Sequence, residues 1–261
     1  MSATSLARDT LESLLRARKL DRTLTSTLPA QPVRDELAIA ATDITVLDDS
    51  LSGGFPRGQL SEIIGPRSSG RTSLLLCTIA AATARGELVA LVDALDALDV
   101  ESAAAAGISL DRLLWIRGHI VSNPGLCRDL NQRAVDQAIK ALTLVLQAGN
   151  FGLVVFDVAD APHEAIRRLP FTTWLRLQRM VEGTQTTCVL VGTEPMARSS
   201  AGLTLRLTTG VGDLGLGMSR GMRFRGRLFA GLDVTMSVVR ARAHVHEETT
   251  ATFTTTEAHY A

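Results

Sequence analysis

Cysteine and aromatic residues are both scarce in this chain of 261 residues. The three cysteines, Cys77, Cys127 and Cys188, lie far apart and form no C-x-x-C pair, so neither a disulfide framework nor a zinc site is expected. Aromatic residues make up 4% of the chain, whereas apolar residues of all types reach 46%. The sequence therefore predicts a sizeable core that is built mainly from aliphatic side chains.

An excess of charge and a long apolar run are also absent. Lysine plus arginine and aspartate plus glutamate number 27 each, and this balance removes the bulk electrostatic argument for non-specific nucleic-acid binding, although a local basic patch stays compatible with it. No apolar run approaches the length of a membrane span, and the N-terminal residues carry charges where a signal peptide would be apolar. These features predict a soluble, cytoplasmic protein without a membrane partner.

Short apolar segments alternate with helical patterns from Ala40 onward. The segments QLSEIIG, ELVALVD, LLWIRG, GLVVFD and TTCVLVGT are typical of buried strands, and amphipathic or apolar helical stretches separate them. This alternation predicts an α/β fold with a mostly parallel sheet flanked by helices, and the later segments predict antiparallel strands at the C-terminal end.

Three regions follow from the same patterns. Residues 1–38 are predicted to form an N-terminal helix and a proline-containing linker, with a role either in contacts to another molecule or in packing on the chain's own core. Residues 39–248 are predicted to form the core domain. Residues 249–261 are a polar C-terminal tail, which is either an edge strand with a frayed end or a disordered segment.

The stretch GPRSSGRTS, from Gly65 to Ser73, fits the phosphate-binding frame G-x-x-x-x-G-K-[ST] at every fixed position but one. A buried strand precedes it and an apolar helix follows it, which is the context in which backbone N–H groups and a helix N-terminus converge on phosphate. Arg71 occupies the lysine position. Its wide planar fork either reaches phosphate from outside the loop or fills and blocks the site.

A second element of the expected site is Asp157, which ends the apolar strand segment GLVVFD. A strand-terminal aspartate downstream of such a loop holds Mg²⁺ through water, and Thr72 occupies the position of the direct magnesium ligand. The alternative is a glycine-containing turn and an aspartate that caps a helix. The candidate residues for binding ATP and Mg²⁺ are Gly65, Ser68, Ser69, Gly70, Arg71, Thr72, Ser73 and Asp157.

The order of these segments resembles the ATPase core of the RecA superfamily. The segment DITVLDDSLSGGFPRGQLSEIIGPRSSGRTSLLL resembles the turn, strand and phosphate loop of that core, and LVALVDALDALD resembles its D-A-E-H-A-L-D segment. LVVFD is similar to its magnesium-binding strand, and CVLVGTEP to the strand that ends in a glutamine sensing the terminal phosphate. The resemblance covers roughly residues 40–245 and implies a RecA-like P-loop fold.

Three positions depart from what this resemblance implies. Leu95 stands where the family has the glutamate that orients the attacking water, and Asp96 beside it is expected to project elsewhere. Thr193 and Glu194 stand at the phosphate-sensing glutamine, where an acid pointing inward would repel phosphate. Together with Arg71, these changes predict weak or absent ATP hydrolysis and no efficient ATPase.

A small RecA-like protein with a degenerate ATP site resembles the ImuA family of accessory proteins in damage-induced (SOS) mutagenesis. That resemblance implies an adaptor or regulator of error-prone translesion synthesis. Its implied partners are the Y-family polymerase-like protein ImuB, an alternative replicative-type polymerase subunit and RecA. The competing hypotheses are an active DNA-dependent ATPase or recombinase of DNA repair, and a RecA-fold regulator of cell division or another signalling ATPase.

One basic cluster lies in the segment SRGMRFRGR. It contains Arg220, Arg223, Arg225 and Arg227, and the last three would share one face of a strand. The cluster is a candidate contact for DNA phosphates or an acidic partner, and a solvated strand face is the alternative.

Overall fold

The computed structural model describes residues 39–118, 128–159, 161–209, 232–242 and 249–255. All of these residues belong to one compact unit, Ala38–Ala261. The predicted N-terminal helix and the arginine cluster at 220–227 lie outside the described residues. Residues 250–255, for which the sequence left two alternatives, form a strand at the edge of the main sheet.

Ten strands and six α-helices are described. The strands are β1 Ile39–Ala40, β2 Phe55–Pro56, β3 Leu60–Ile64, β4 Val89–Asp93, β5 Leu113–Arg117, β6 Leu153–Asp157, β7 Thr187–Gly192, β8 Ala201–Thr209, β9 Leu232–Ala241 and β10 Thr250–Thr255. The helices are α1 Thr45–Ser50, α2 Arg71–Ala84, α3 Val100–Ala105, α4 Arg128–Ala148, α5 His163–Arg167 and α6 Phe171–Val181. No described helix combines the length and the apolar character that a membrane crossing requires.

Eight strands form one sheet in the order β10-β9-β8-β3-β7-β6-β4-β5. The six strands from β8 to β5 are parallel, and β9 and β10 extend the sheet in antiparallel fashion. The fold class is therefore confirmed, including the antiparallel strands at the C-terminal end. The central strands are buried along their whole length because helices cover both faces, which explains why their sequences are mostly apolar rather than alternating.

Two apolar layers cover the sheet. On one face, Leu74 and Ile79 of α2 pack against residues such as Leu91 of β4 and Val155 of β6. On the other face, α4 and α6 pack against the alternate residues of the same strands, among them Val154. Parallel strands all point their carboxyl ends toward one edge, and the loops after β3, β4 and β6 gather there.

The opposite edge is fastened by an ion pair between two segments distant in sequence. Arg57 donates to Glu87 at 2.5 Å and also to the carbonyl oxygens of Gly152 and Gln185, at 3.3 and 2.9 Å. Arg85 donates to the same carboxylate at 3.0 Å. Partial burial opposes ionisation of Glu87, but these arginines outweigh it and hold the pKa of that carboxyl below its ordinary value.

Candidate functional site

A cleft of about 630 Å³ opens at the carboxyl edge of the parallel strands. Its walls come from the loop between β3 and α2, from the segment after β4 and from the end of β6. In open α/β sheets this edge is the usual place for ligands. The lining residues are Arg67, Ser68, Ser69, Gly70, Arg71, Thr72, Ser73, Leu75, Leu76, Leu91, Asp93, Leu95, Ala97, Leu98, Asp99, Ser102, Asp157 and Ala159.

The loop between β3 and α2 requires glycine at two positions, Gly65 and Gly70. Gly70 has φ 88°, and a Cβ on it would lie 2.5 Å from a methyl group of Val234. A Cβ on Gly65 would lie 2.6 Å from Oγ of Ser69 and would collide with the carbonyl oxygen of Leu207. Both glycines are therefore required by close approach, and Gly70 also by its left-handed conformation.

Helix α2 begins at Arg71 directly after this loop. Its N-cap residue is Gly70, which has no side chain with which to cap the first N–H groups of the helix. Oγ of the buried Ser69 also has no hydrogen-bond partner among the described residues. Polar hydrogens at a helix N-terminus behind a tight glycine loop suit a phosphate group, which fits the prediction made for Gly65–Ser73.

Arg71 does not extend into open solvent. The residue is 6% exposed, and its Nη1 donates a hydrogen bond to the carbonyl oxygen of Ala159 at 3.1 Å. Ala159 also donates its backbone N–H to Oδ1 of Asp157 at 2.8 Å. The side chain thus ties the start of α2 to the segment after β6, and of the two alternatives for Arg71 this arrangement favours filling the site.

The cleft lining includes Thr72 and Asp157, the two candidate magnesium positions, together with the neighbouring hydroxyl of Ser73. Thr72 is exposed, Ser73 is half-buried, and Asp157 sits at the end of β6 beside β7 and β4. The first turn of α2 and the end of β6 therefore face one volume.

Leu95 also lines the cleft, so no carboxylate stands at that position. Asp96, the nearest acid in sequence, has φ 57° and receives two hydrogen bonds from Arg117, at 2.5 and 2.7 Å. The guanidinium of Arg117 in turn lies 4.6 Å from the ring centre of Trp115. Asp96 is thus engaged at the β5 edge and is absent from the cleft lining.

Glu194 does not reach the cleft either. It is exposed and lines a separate small depression together with His163, Trp174 and Arg198. The repulsion predicted for an acid that points inward toward phosphate therefore does not apply to Glu194 in this arrangement. Neither Thr193 nor Glu194 contributes to the cleft wall.

Two aspartates in the cleft were missed as candidates. Asp93 ends β4 and is 2% exposed; its Oδ2 accepts hydrogen bonds from the N–H of Leu98 at 2.9 Å and from Nε1 of Trp115 at 3.1 Å. Asp99 caps α3 and accepts from Ser102, and these hydrogen bonds lower its pKa. The signal that located Asp157, an acid at the end of an apolar strand, also applies to Asp93 in ELVALVD.

The segment after β7 is held by a buried acid. Oε1 of Glu62, in the middle of β3, accepts the N–H groups of Met196 and Ala197 at 2.8 and 2.7 Å, and Oε2 accepts the hydroxyl of Thr204 at 2.8 Å. Glu62 therefore fastens the short crossover from β7 to β8. The sequence offered only one charged residue within a buried strand as a signal for this role.

The part of the chain that carries most of the cleft matches a known family model. Residues 26–166, more than half of the chain, match the model of the RecA N-terminal domain, and the matched range includes the phosphate-type loop, Leu95 and Asp157. The chain belongs to the RecA N-terminal domain family.

Curated RecA proteins are similar to about half of this RecA-family chain. The Clavibacter michiganensis protein RecA is 38% identical over 129 residues, which are 49% of this chain and 32% of that protein. The Mycobacterium ulcerans protein RecA is 36% identical over 130 residues, 49% of this chain and 34% of that protein. The matched part thus spans about a third of the length of these relatives.

The fold is also similar to a solved structure, that of the RadB recombinase. The TM-score is 0.58 at 20% sequence identity, and the match covers 83% of this chain and 96% of that one. At this identity the likeness shows the fold alone. It confirms the RecA-like α/β architecture that the segment order predicted.

Proposed function

We propose that this chain is a RecA-like accessory protein in damage-induced translesion DNA synthesis. In this role it binds a nucleotide without hydrolysing it efficiently, and it acts as an adaptor or regulator of an error-prone polymerase complex or of RecA. The ImuA family, which the sequence resembles in its size and its degenerate phosphate loop, is the proposed subfamily.

The observation that carries the proposal is that Leu95 lines the cleft at the position where the resembled family segment has its water-orienting glutamate. Hydrolysis of a terminal phosphate needs a group that accepts a hydrogen bond from the attacking water. Leu95 has no such group, and Asp96 is held by Arg117. A bound triphosphate would therefore meet a leucine where a water is normally oriented.

The residues around the cleft still fit a nucleotide with magnesium. The backbone between Gly65 and Ser73 would hold the phosphates, while Thr72 and Asp157 would hold Mg²⁺, which neutralises phosphate charge. Arg71 is the residue that limits affinity, because its guanidinium must leave the carbonyl oxygen of Ala159 before it can contact phosphate.

Two short connections support an adaptor more than a strand-exchange enzyme. Recombinases of this superfamily carry long DNA-binding loops after the strands that correspond to β6 and β7. Here residues 158–162 join β6 to α5, and residues 193–200 join β7 to β8. Glu62 accepts two backbone N–H groups of the second connection. These hydrogen bonds restrict the movement that this connection would need to bind along a DNA strand.

The proposed partners follow from the ImuA resemblance. They are the Y-family polymerase-like protein ImuB, an alternative replicative-type polymerase subunit and RecA. The basic cluster Arg220, Arg223, Arg225 and Arg227 and the N-terminal residues 1–38 are the proposed contact segments, with DNA phosphates as the other candidate for the arginines.

A genetic experiment separates the adaptor from an active DNA-dependent ATPase or recombinase. In a host that encodes this chain, its gene is deleted, and damage-induced mutation frequency and homologous recombination frequency are both measured. The proposal predicts that mutation frequency falls while recombination is unchanged. A fall in recombination with unchanged mutation frequency would refute it. Complementation with Leu95→Ala, which keeps an apolar side chain at that position, should restore mutagenesis.

A further inference from the structure

Asp93 is a buried acid in the cleft whose two carboxyl oxygens differ in their hydrogen bonding. The residue is 2% exposed, and while its Oδ2 accepts two hydrogen bonds, its Oδ1 is buried and has no partner among the described residues. An unpartnered buried oxygen of an acid costs about 1–3 kcal/mol, more when it is charged. Such an atom in a ligand-binding cleft indicates that something absent from the protein itself completes it.

A second carboxylate lies directly beside it. Asp93 and Asp157 are register partners on the adjacent parallel strands β4 and β6, and both end their strands. Side chains at matched positions of neighbouring strands project from the same face, which here is the face covered by α2. Two carboxylates at matched positions of adjacent strands can therefore contribute oxygens to one bound cation.

We propose that Asp93 and Asp157 together bind a divalent cation in the absence of nucleotide. The inference extends the proposed function, because this cation would lie in the nucleotide cleft, but its formation does not depend on a nucleotide. Oδ1 of Asp93 would be a cation ligand in addition to those assigned from the phosphate-loop pattern. Mg²⁺ suits the site, since it is commonly held by one or two carboxylates and keeps several waters.

The contacts of Asp93 give it a fixed orientation for this purpose. The N–H of Leu98 and the indole of Trp115 both bind Oδ2, so Oδ1 is the oxygen left for a ligand. Asp99 lines the same cleft, but its Oδ2 accepts hydrogen bonds from the N–H and the hydroxyl of Ser102. It therefore serves as a control acid for Asp93, because it lies in the same cleft without the proposed role.

Trp115 also supplies a direct probe. Its Nε1 lies 3.1 Å from Oδ2 of Asp93, so Tb³⁺ bound to that carboxylate would be within a few ångström of the indole and would emit when the indole is excited. The chain has one other tryptophan, Trp174, which is buried on the opposite face. A Trp174→Phe background therefore leaves Trp115 as the sole tryptophan sensitiser.

The experiment titrates nucleotide-free full-length protein in this background with Tb³⁺ and then competes the signal with Mg²⁺. We expect sensitised emission that Mg²⁺ reverses, and affinity weaker by about tenfold or more in Asp93→Asn. The asparagine oxygen still accepts from Leu98 and Trp115, so the fold should be preserved. Asp99→Asn should bind Tb³⁺ as the parent does, and Trp115→Phe in the same background should abolish the signal.

Thermal unfolding gives a second readout that needs no lanthanide. Mg²⁺ should raise the melting temperature of the parent and should leave that of Asp93→Asn unchanged, since only a cation bound to the folded state stabilises it. The inference is overturned if Asp93→Asn binds Tb³⁺ as tightly as the parent, as it would if a buried water completed Oδ1, or if Asp99→Asn loses binding equally.

Cation titration and ATP calorimetry together distinguish failure of the cation site from failure of the proposed function. Nucleotide binding without any nucleotide-free Tb³⁺ or Mg²⁺ response refutes the cation site and leaves the proposed function standing. A cation response that needs Asp93, combined with no heat from ATP at any cation concentration, supports the cation site and refutes the nucleotide-binding adaptor.

Discussion

Arg71 and Ala159 are joined by a hydrogen bond of 3.1 Å that links the first turn of the phosphate-loop helix to the segment after β6. In the usual form of this loop a lysine at that position serves as a compact charge for phosphate. Here the arginine side chain is buried, and its Nη1 donates to a backbone carbonyl. In the proposed function, a nucleotide phosphate would therefore compete with the carbonyl oxygen of Ala159 for the guanidinium of Arg71.

Arg71→Lys should strengthen ATP binding. The lysine cannot make the planar guanidinium contact with Ala159, and its ammonium group is free to approach phosphate. We expect affinity for ATP with Mg²⁺ to rise by about tenfold, or about 1.4 kcal/mol, in isothermal titration calorimetry. Arg71→Gln is the matched control, because it removes the Ala159 contact without supplying a charge. Equal affinities for the lysine and glutamine variants would show that the charge has no role.

Leu95→Glu should increase ATP hydrolysis in the Arg71→Lys variant, in which stronger ATP binding alone is not expected to do so. A carboxylate at this position faces the cleft and can accept a hydrogen bond from water, which contributes about 10²–10⁴-fold to a rate. We expect phosphate release in the Arg71→Lys, Leu95→Glu double variant to exceed that of Arg71→Lys alone by about a hundredfold. Leu95→Gln controls for the loss of the leucine. Hydrolysis by Arg71→Lys alone at the same rate would place the base elsewhere.

Glu62→Ala should destabilise the fold markedly. It leaves the N–H groups of Met196 and Ala197 and the hydroxyl of Thr204 without their buried acceptor, at a cost of about 3 kcal/mol. Urea unfolding followed by circular dichroism measures this loss. The exposed Glu182→Ala is the control and should change the unfolding free energy by less than about 0.5 kcal/mol. Similar losses in both variants would mean that Glu62 does not fasten the crossover.

The Glu87 cluster should contribute stability that depends on pH. Its pKa in the folded protein is lowered below the ordinary value of 4.5, so its contribution is fully present above pH 4.5 and is lost as the pH falls through the lowered value. Glu87→Gln should therefore reduce the unfolding free energy at pH 6, and the difference from wild type should shrink below pH 4.5. A difference that grows with acidity would contradict the assigned direction of the pKa shift.

The sequence was informative where a residue's role depends on its neighbours in the chain. Gly65, Gly70, Thr72 and Asp157 were located because the loop and the strand end are local patterns, and Leu95 followed from the resemblance to a family segment. The alternation of apolar strands and helices predicted the parallel sheet in the same way.

Other roles depend on contacts between distant segments and had no local signal. Two hydrogen bonds join residues that only the folded sheet brings together, one from Arg71 to Ala159 and one from Met196 to Glu62. Asp93 had the same strand-end signal as Asp157, but its unpartnered oxygen is a property of packing. The exclusion of Glu194 from the cleft likewise depends on the path of the chain after β7.

The chemical state of bound nucleotide distinguishes the proposed adaptor from an active ATPase. Purified protein is incubated with labelled ATP, Mg²⁺ and single-stranded DNA, then separated from unbound nucleotide, and the bound label is identified by chromatography. We expect ATP to be recovered intact, with no DNA-stimulated phosphate release. Recovery of ADP together with sustained DNA-stimulated turnover, abolished by Asp157→Ala, would contradict it.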